Sequence, residues 1–295
     1  MRAKERMYQS LVNLTMGLLS LLCVLPFVLL FSSSITAQSE IIVSGYRFIP
    51  SKIDFEAYEY LLNDAASIVR AYGVTVTVTA IGTAASLAMT TLVAYPLSRK
   101  DLPHRNFFSF YIFFTMLFNG GLVPLYLVYT KLFDFKNTLW ALIVPIALVN
   151  AFYVIITRTF FQSTIPIEVI ESGKIDGAGE FKIFYRIVLP LSLPILATVG
   201  LFQTIHFWND WFNGLIFLTD SSLYSIQNLL NRILLDAQFL STMDFGTAQG
   251  ELLAGIPTMT VRLAIAVIGV IPILVIYPFF QRFFVQGLTV GAVKG

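Results

Sequence analysis

The polar residues most able to do chemistry lie in the stretch HFWNDWFNG, residues 206–214, within an apolar part of the chain. His206 and Asp210 are four residues apart, so a continuous helix would place both on one face. A titratable side chain inside an apolar span indicates function in the first instance. Three roles are open: a hydrogen-bond network that fixes packing or gating, contact with a substrate, and a proton relay. The candidate residues are His206, Trp208, Asn209, Asp210 and Trp211.

A second interruption of an apolar stretch is FNGGLVPLY, residues 118–126. Its two glycines permit close approach between helices, and Pro124 removes one backbone donor from a helix. The stretch is interpreted either as a packing kink or as the wall of a cavity. On the second interpretation Asn119 and Tyr126 join the candidate substrate or pore residues.

The sequence offers no set of residues that would make the chain an enzyme. The phosphate-binding pattern G-x-x-x-x-G-K-[ST] is absent, because Gly173-Lys174 is followed by isoleucine. Two histidines and one cysteine are too few for a dedicated metal site, and no serine stands in a G-x-S-x-G context. We expect no catalytic residue, no metal and no cofactor on this chain, so that any ATP and magnesium would be bound by separate subunits.

The most charged interval, residues 166–190, lies between apolar segments and mixes acidic with basic side chains. Pro166 suits a helix start, Asp176-Gly177 is a turn signal, and Pro190 is expected to close a second helix. The pattern predicts a helix–turn–helix outside the bilayer with an apolar, acidic-tipped face. It is either a docking element for a protein or an amphipathic helix that lies on lipid. The mixed charge favours a protein partner.

Composition places the chain in the membrane. Of its 295 residues, 57% are hydrophobic and 12% are charged, against about a quarter charged in soluble domains. The net charge of +2 is too small to indicate nucleic-acid binding. We expect one domain, 1–295, that is an all-α polytopic bundle, because backbone groups in lipid must be satisfied within helices. Six segments are long enough to span: Leu11–Phe31, Val74–Leu97, Phe107–Tyr129, Leu139–Phe160, Ile195–Leu218 and Val261–Phe280.

Lysine and arginine set the expected orientation. They concentrate around residues 2–6, 99–105, 158–186 and 282–294, which predicts that both termini and the 166–190 segment are cytoplasmic. The first span is expected to be retained and not cleaved as a signal peptide. Two long outer loops follow, 33–70 and 219–260, which are either solvated connectors or contacts for an extracellular partner.

The 166–190 segment resembles the cytoplasmic signature of ABC-importer permeases, E-x-x-x-x-D-G-A followed by F and I-x-L-P. Ser172 and Gly173 stand where that family usually has two alanines. The C-terminal FVQGLTVGAVKG is similar to the tail of the carbohydrate branch, the maltose-type second permease. FNGGLVPLY and WNDWF resemble the same branch, nearest its subgroup for complex or acidic oligosaccharides. The signature residues are Glu171, Asp176, Gly177, Ala178, Phe184, Ile187, Leu189 and Pro190.

The resemblance implies a permease subunit of an ATP-driven, binding-protein-dependent sugar importer in the bacterial cytoplasmic membrane, working by alternating access. Its implied partners are a second homologous permease, a homodimer of ATP-binding subunits, an extracellular or periplasmic sugar-binding protein and membrane lipid, with no nucleic acid. The alternatives are an ABC permease for another solute and an ATP-independent secondary transporter. The implied coupling residues are Glu171, Ser172, Gly173, Asp176, Gly177, Ala178, Phe184, Leu189 and Pro190. The tail 281–295, through Gly291, Ala292, Val293, Lys294 and Gly295, is implied to reach the ATPase.

Overall fold

The computed structural model of the protein describes residues 2–145, 148–242 and 258–292. All regular structure in these ranges is helical, apart from one isolated β-bridge between Thr36 and Ile53. This confirms the predicted all-α class. The chain divides into two compact units, Met1–Ile68 with Leu230–Pro272 and Val69–Leu229 with Ile273–Gly295. The single domain 1–295 stays a prediction.

The helices differ widely in length. They are α1 (Arg2–Ser34), α2 (Gln38–Ser44), α3 (Glu56–Leu62), α4 (Ala65–Ser98), α5 (Arg105–Leu117), α6 (Leu122–Leu127, continued by a π-helical turn over Val128–Leu132), α7 (Trp140–Ile143), α8 (Ala151–Thr164), α9 (Ile167–Ile175), α10 (Glu180–Ile183, continued by a π-helical turn over Phe184–Val188), α11 (Leu189–Leu191), α12 (Leu193–Trp208), α13 (Phe212–Phe217), a 3-10 turn (Ser221–Leu223), α14 (Ile226–Thr242) and α15 (Thr258–Ala292).

Two of these helices are long and apolar enough to cross a membrane alone, α1 over Arg6–Ser34 and α4. Two further stretches qualify only as bent pairs. Arg105–Leu117 with Leu122–Leu132 bends by 110°, and Glu180–Leu191 with Leu193–Trp208 bends by 80°. The described ranges therefore hold two to four candidate spans, and the count of six stays a prediction.

Three predicted spans are not continuous helices in the structure, because each contains a break. The helix that was expected over Phe107–Tyr129 ends at Leu117, and Gly121 then adopts a φ of +86°. The one expected over Leu139–Phe160 stops at Ile143, two residues before a proline, whose missing N–H and bulky ring oppose a helix interior. The one expected over Ile195–Leu218 pauses between α12 and α13.

The second helix of the 166–190 segment runs one residue past its predicted end. Pro190 does not close it, because it falls in the first turn of α11, where a missing N–H is tolerated. The helix stops at Ser192, whose hydroxyl donates to the carbonyl of Val188 at 2.7 Å. The 80° bend follows there.

The first unit contains a folded connection after α1. The N–H of Ala37 donates to the carbonyl of Lys52 at 3.1 Å, and the hydroxyls of Ser34 and Tyr58 are 2.8 Å apart. The Glu40 carboxylate accepts hydrogen bonds from two backbone N–H groups of the same connection. The predicted outer loop 33–70 is therefore ordered by its own contacts and carries α2 and α3.

The predicted tail continues a helix. α15 extends past the expected span end, Phe280, as far as Ala292. No proline follows Pro278, so nothing in the sequence forces the helix to stop earlier. The tail residues Val293, Lys294 and Gly295, and residues 243–257 of the second outer loop, lie outside the described residues.

Candidate functional site

The coupling segment, residues 166–190, is a helix–turn–helix made of α9 and α10 with its continuation. At the turn, Gly177 has a φ of +74° and donates its N–H to the carbonyl of Lys174 at 3.0 Å. The N–H of Ala178 donates to the carbonyl of Gly173, also at 3.0 Å. These two bonds form a Schellman motif, which ends a helix on a left-handed residue. The turn therefore favours a glycine at position 177 for conformational reasons.

One face of the coupling segment is buried. Ile170, Ile183, Phe184 and Val188 pack in a hydrophobic cluster with residues of α4 and α8. Gly173 faces this cluster, and a Cβ added there would lie 3.0 Å from Cδ1 of Ile187. The helix therefore sits closer to its neighbour than an alanine would allow without a shift of that isoleucine.

The opposite face is apolar and exposed. Ile175 is 85% exposed and Phe181 is 74% exposed, while Asp176 lies between them at the end of α9. Large apolar side chains held rigidly in water indicate an interaction surface when they are grouped. Of the predicted coupling residues, the structure exposes Glu171, Ser172, Asp176, Gly177 and Pro190, half-buries Ala178 and Leu189, and buries Gly173 and Phe184.

A charged group ties the coupling segment to the end of α4. Glu180 accepts a hydrogen bond from the Tyr95 hydroxyl at 2.7 Å and pairs with Lys174 at 2.8 Å. Lys174 also lies 3.4 Å from Asp101. The guanidinium of Arg99 binds Asp101 through two nitrogens, at 3.0 and 2.9 Å. Sequence reasoning missed this group, because its members lie up to 85 positions apart.

Two pKa shifts show how this group responds to pH. Hydrogen bonds from Arg99 lower the pKa of the Asp101 carboxyl to about 2, so its stabilising effect is lost only as pH falls from the ordinary value towards 2. The hydrogen bond to Glu180 raises the pKa of the Lys174 ammonium, so its effect is lost only as pH rises above the ordinary value. Both groups are charged throughout the neutral range.

α8 caps the last turn of α4. Nε of Arg158 donates to the carbonyl of Leu97 at 3.1 Å, and Nε2 of Gln162 donates to the carbonyl of Ser98 at 3.3 Å. The last carbonyls of a helix lack partners within it, so these bonds satisfy groups that would otherwise need water. The end of α4, α8 and the coupling segment therefore form one connected structure.

Asp210 is a helix cap in this structure. Its Oδ1 accepts the N–H groups of Phe212 and Asn213, both at 3.1 Å, and its Oδ2 accepts from Nδ2 of Asn213 at 2.7 Å. The predicted shared face of His206 and Asp210 is wrong, because α12 ends at Trp208. The two residues therefore do not share a helix face, and the role of a proton relay stays a prediction.

The other candidate pore residues differ in their burial and in their contacts. Trp208 is buried, whereas His206, Asn209 and Trp211 are exposed. Tyr126 stacks on Phe217 of α13 with ring centroids 5.8 Å apart. Asn119 is exposed and accepts the N–H of Gly121 at 2.9 Å. Their role in binding a solute stays a prediction.

Trp208 borders a cavity of about 570 Å³ between α4 and α12. Small side chains create the space, with Ala80, Ala84 and Gly200 among its walls. Polar atoms there are few: the hydroxyls of Thr83 and Thr204 are 3.4 Å apart. No cluster of His, Cys, Asp or Glu that could hold a metal ion occurs in the part of the chain that was described.

Asn137 organises a region that sequence reasoning missed. It has a φ of +57°, which asparagine tolerates better than most residues. Its Oδ1 accepts the N–H groups of Thr219 and Asp220 at 2.7 and 3.2 Å, and its own N–H donates to the carbonyl of Phe217. It joins the loop after α6 to the end of α13. An asparagine between polar turn residues was the available signal.

A sequence profile of the family described as "Binding-protein-dependent transport system inner membrane component" matches residues 86–290, which include the coupling segment and α12. The chain belongs to this family. It is 38% identical to the polygalacturonan/rhamnogalacturonan transport system permease protein YtcP of Bacillus subtilis (strain 168), over 99% of this chain and 100% of that protein. It is also 36% identical to the protein LplC of the same organism, over 96% of this chain and 93% of that one.

Among solved structures, this family member resembles a chain from a crystal structure described as a bacterial ABC transporter involved in the import of the acidic polysaccharide alginate. The TM-score is 0.78 with 30% identity, covering 95% of this chain and 98% of that chain.

Proposed function

We propose that the protein is one permease of a heterodimeric pore in an ATP-driven importer of complex oligosaccharides, with acidic sugars as the favoured class. The family, the sugar transport permeases among its relatives and the likeness to an alginate importer support this function. The observation that carries the mechanism is the exposure of large apolar side chains on the coupling segment on either side of Asp176. Six spans and cytoplasmic termini complete the proposed topology.

In this mechanism the coupling face docks on a separate homodimer of ATPase subunits, which bind ATP and magnesium. Closure of that dimer on ATP moves α9 and α10. The Tyr95–Glu180 bond transmits the movement to α4. The buried cluster transmits it to α4 and α8, since residues of both helices pack on the segment. The pore then alternates between outward and inward openings by movement of rigid helices.

A sugar-binding protein on the outer side delivers the solute, and the outer loop before the last span is the proposed contact.

Gly291–Gly295 are proposed to reach between the ATPase subunits. Deleting these five residues is expected to depress ATP hydrolysis stimulated by the loaded binding protein. Unchanged stimulation contradicts the role of the tail. ATPase stimulation across a panel of neutral and acidic oligosaccharides decides between a sugar and another solute.

The coupling role is tested by Asp176→Lys. A lysine at a helix C-terminus is compatible with the helix dipole, so the helix is expected to remain intact. Reversing a charge at the docking face is expected to lower sugar uptake at least about tenfold, since unpaired charges in an interface cost several kcal/mol. The ATPase subunit should also be recovered less well with the purified chain.

Glu59→Lys is the matched control, because Glu59 is exposed on α3 and its carboxylate makes no hydrogen bond or ion pair to the described residues. It reverses the same charge on the proposed outer side and should leave recovery of the ATPase unchanged. Full uptake and full ATPase recovery in Asp176→Lys would remove the docking role.

A further inference from the structure

A second cavity, of about 510 Å³, lies beside the N-terminus of α9, where α4 and α8 end and α5 begins. Three basic residues line it, Arg99, Lys100 and Arg105, against one acidic residue, Glu168. Coupling of the ATPase does not require this cavity, and the opposite, exposed face of α9 is the one proposed to dock. The charge balance of its walls favours an anion.

The basic side chains have free donors. Arg99 uses Nε and one terminal nitrogen to bind Asp101, but its other terminal nitrogen is buried and has no acceptor in the ranges that the structure describes. The side chains of Lys100 and Arg105 likewise have no ion pair or hydrogen bond to a described residue. Lys100 and Arg105 can therefore bind an anion through charge-assisted hydrogen bonds. The nearby first turn of α9 also favours negative charge.

The rest of the wall is apolar or hydroxylated, apart from the amide of Gln162. Phe161, Ile165, Ile167 and Ile170 contribute apolar side chains, and Ser163 and Thr164 contribute hydroxyls. A free inorganic anion would leave the apolar part unused. A phosphodiester that carries a glycerol and acyl chains would use both parts of the wall.

The position of the cavity agrees with such a ligand. The apolar helix α4 ends at Ser98 and the apolar helix α5 begins at Arg105, so the basic cluster lies where the chain leaves its hydrophobic region. Basic pockets at this level are suited to the head groups of anionic lipids. We propose that this cavity binds the phosphate of an anionic phospholipid. The inner leaflet is the leaflet concerned if the proposed topology holds.

A bound lipid would contact both the end of α4 and the first turn of α9, because Arg99 and Ile167 line the same cavity. It would hold these two elements together alongside the charged group of Glu180 and Lys174. The expected consequence is that anionic lipid stabilises the coupling segment.

The test uses the full-length chain purified with its associated subunits in nanodiscs of phosphatidylcholine with increasing phosphatidylglycerol. Retained phosphatidylglycerol is counted by native mass spectrometry, and hydrogen exchange of α9 is followed. Phosphatidylglycerol is expected to be retained and to slow exchange in α9. Lys100→Gln with Arg105→Gln is expected to weaken retention at least about tenfold, because each substitution removes a charge-assisted hydrogen bond to the phosphate.

Lys182→Gln with Arg186→Gln is the matched control, because it removes the same charge from exposed positions outside the cavity. This control pair is expected to reduce the retention of phosphatidylglycerol much less. Equal losses in the two pairs, or no retention by the unaltered protein, overturn the proposal. If inorganic phosphate alone slows exchange in α9 as phosphatidylglycerol does, the ligand is a soluble anion and the lipid assignment is wrong.

These measurements need neither sugar nor ATP, and the two leaflets of the nanodisc have the same composition. A failure of the proposed transport function or topology would therefore leave the lipid result readable, and the two failures are distinguishable.

Discussion

Three polar residues within apolar stretches have the same local role. Asn119, Asn150 and Asp210 each accept, through a side-chain oxygen, the N–H of the residue two positions later, at 2.9 to 3.1 Å. This Asx geometry competes with a continuing helix, since it satisfies a backbone donor locally. At these three positions the short polar side chain therefore marks a helix break, whatever further role it has in the pore.

The cap formed by Asp210 predicts different outcomes for two substitutions. Asp210→Ala leaves two N–H groups at the start of α13 without an acceptor and is expected to destabilise the protein by about 1 kcal/mol. Asp210→Asn keeps an Oδ1 acceptor. The buried Oδ1 of Asn213 has no partner in the described structure, so the Asn213 amide can turn over to accept from the new amide.

We therefore expect Asp210→Asn to retain sugar uptake and thermal stability, and Asp210→Ala to lower the midpoint of thermal unfolding. Uptake and thermal denaturation of the purified complex measure both. If the asparagine variant lost uptake as completely as the alanine variant, the carboxylate would have to titrate or bind solute, contrary to the capping role.

The positive φ of Gly177 gives a second prediction at the scale of one residue. Gly177→Ala places a Cβ in a left-handed conformation, at a cost of about 1 kcal/mol, although no atom lies within 4 Å of that Cβ. Hydrogen exchange at the amide of Ala178 should become roughly fivefold faster, since that amide belongs to the Schellman motif. Gly179→Ala is the control, because Gly179 has a φ of −68° and equally open surroundings. Equal acceleration in both variants contradicts the conformational explanation.

At the scale of elements, the contact between α4 and α10 combines apolar packing with one hydrogen bond. Tyr95 is buried and its ring lies 5.2 Å from that of Phe184, while its hydroxyl donates to Glu180. Tyr95→Phe keeps the ring and removes the bond, at a cost of about 1 kcal/mol. The expected result is a several-fold fall in sugar imported per ATP hydrolysed, because the coupling segment is held less firmly.

Tyr185→Phe is the control for this prediction, since Tyr185 follows on the same helix and is exposed. Uptake and ATP hydrolysis are measured together in proteoliposomes with the binding protein. If the amount of sugar imported per ATP hydrolysed were unchanged in Tyr95→Phe, the hydroxyl would have no role in coupling.

The packing of α4 on α12 also depends on a small residue. A Cβ on Gly82 would lie 2.5 Å from the ring of buried Phe207, whereas a Cβ on Gly73 of the same helix meets nothing within 4 Å. Gly82→Ala is expected to destabilise the protein by about 1–3 kcal/mol more than Gly73→Ala, because overpacking outweighs the gain in helix propensity. Thermal unfolding of both variants measures the difference, and equal midpoints would mean that Phe207 moves aside freely.

Elements governed by local chemistry were predictable from sequence. The helix–turn–helix, its Asp176-Gly177 turn and the apolar faces follow from turn residues and periodicity. The helix break at Asp210 was missed, because periodicity alone places Asp210 beside His206 on one face of a continuous helix. The Tyr95–Glu180 bond and the contacts of Asn137 join distant parts of the chain, and a single sequence contains no signal for such pairs.

For the whole molecule, the likeness to permeases of sugar importers indicates the class of function. The proposed coupling to an ATPase depends on which side of the membrane the coupling segment occupies. The Lys and Arg flanks predict the inner side. Its exposed apolar face is expected to be covered by the ATPase in the assembled transporter.

Single cysteines test this orientation. Cys23→Ser removes the only cysteine. In that background, Ile49→Cys and Ile175→Cys form a matched pair, because both positions carry isoleucine and are 82% and 85% exposed. A membrane-impermeant maleimide is expected to label position 49 in intact cells. Position 175 should be labelled only in inside-out vesicles, and more strongly once the ATPase subunits are stripped off. Labelling at 175 in intact cells would place the coupling segment outside, where no ATPase could reach it.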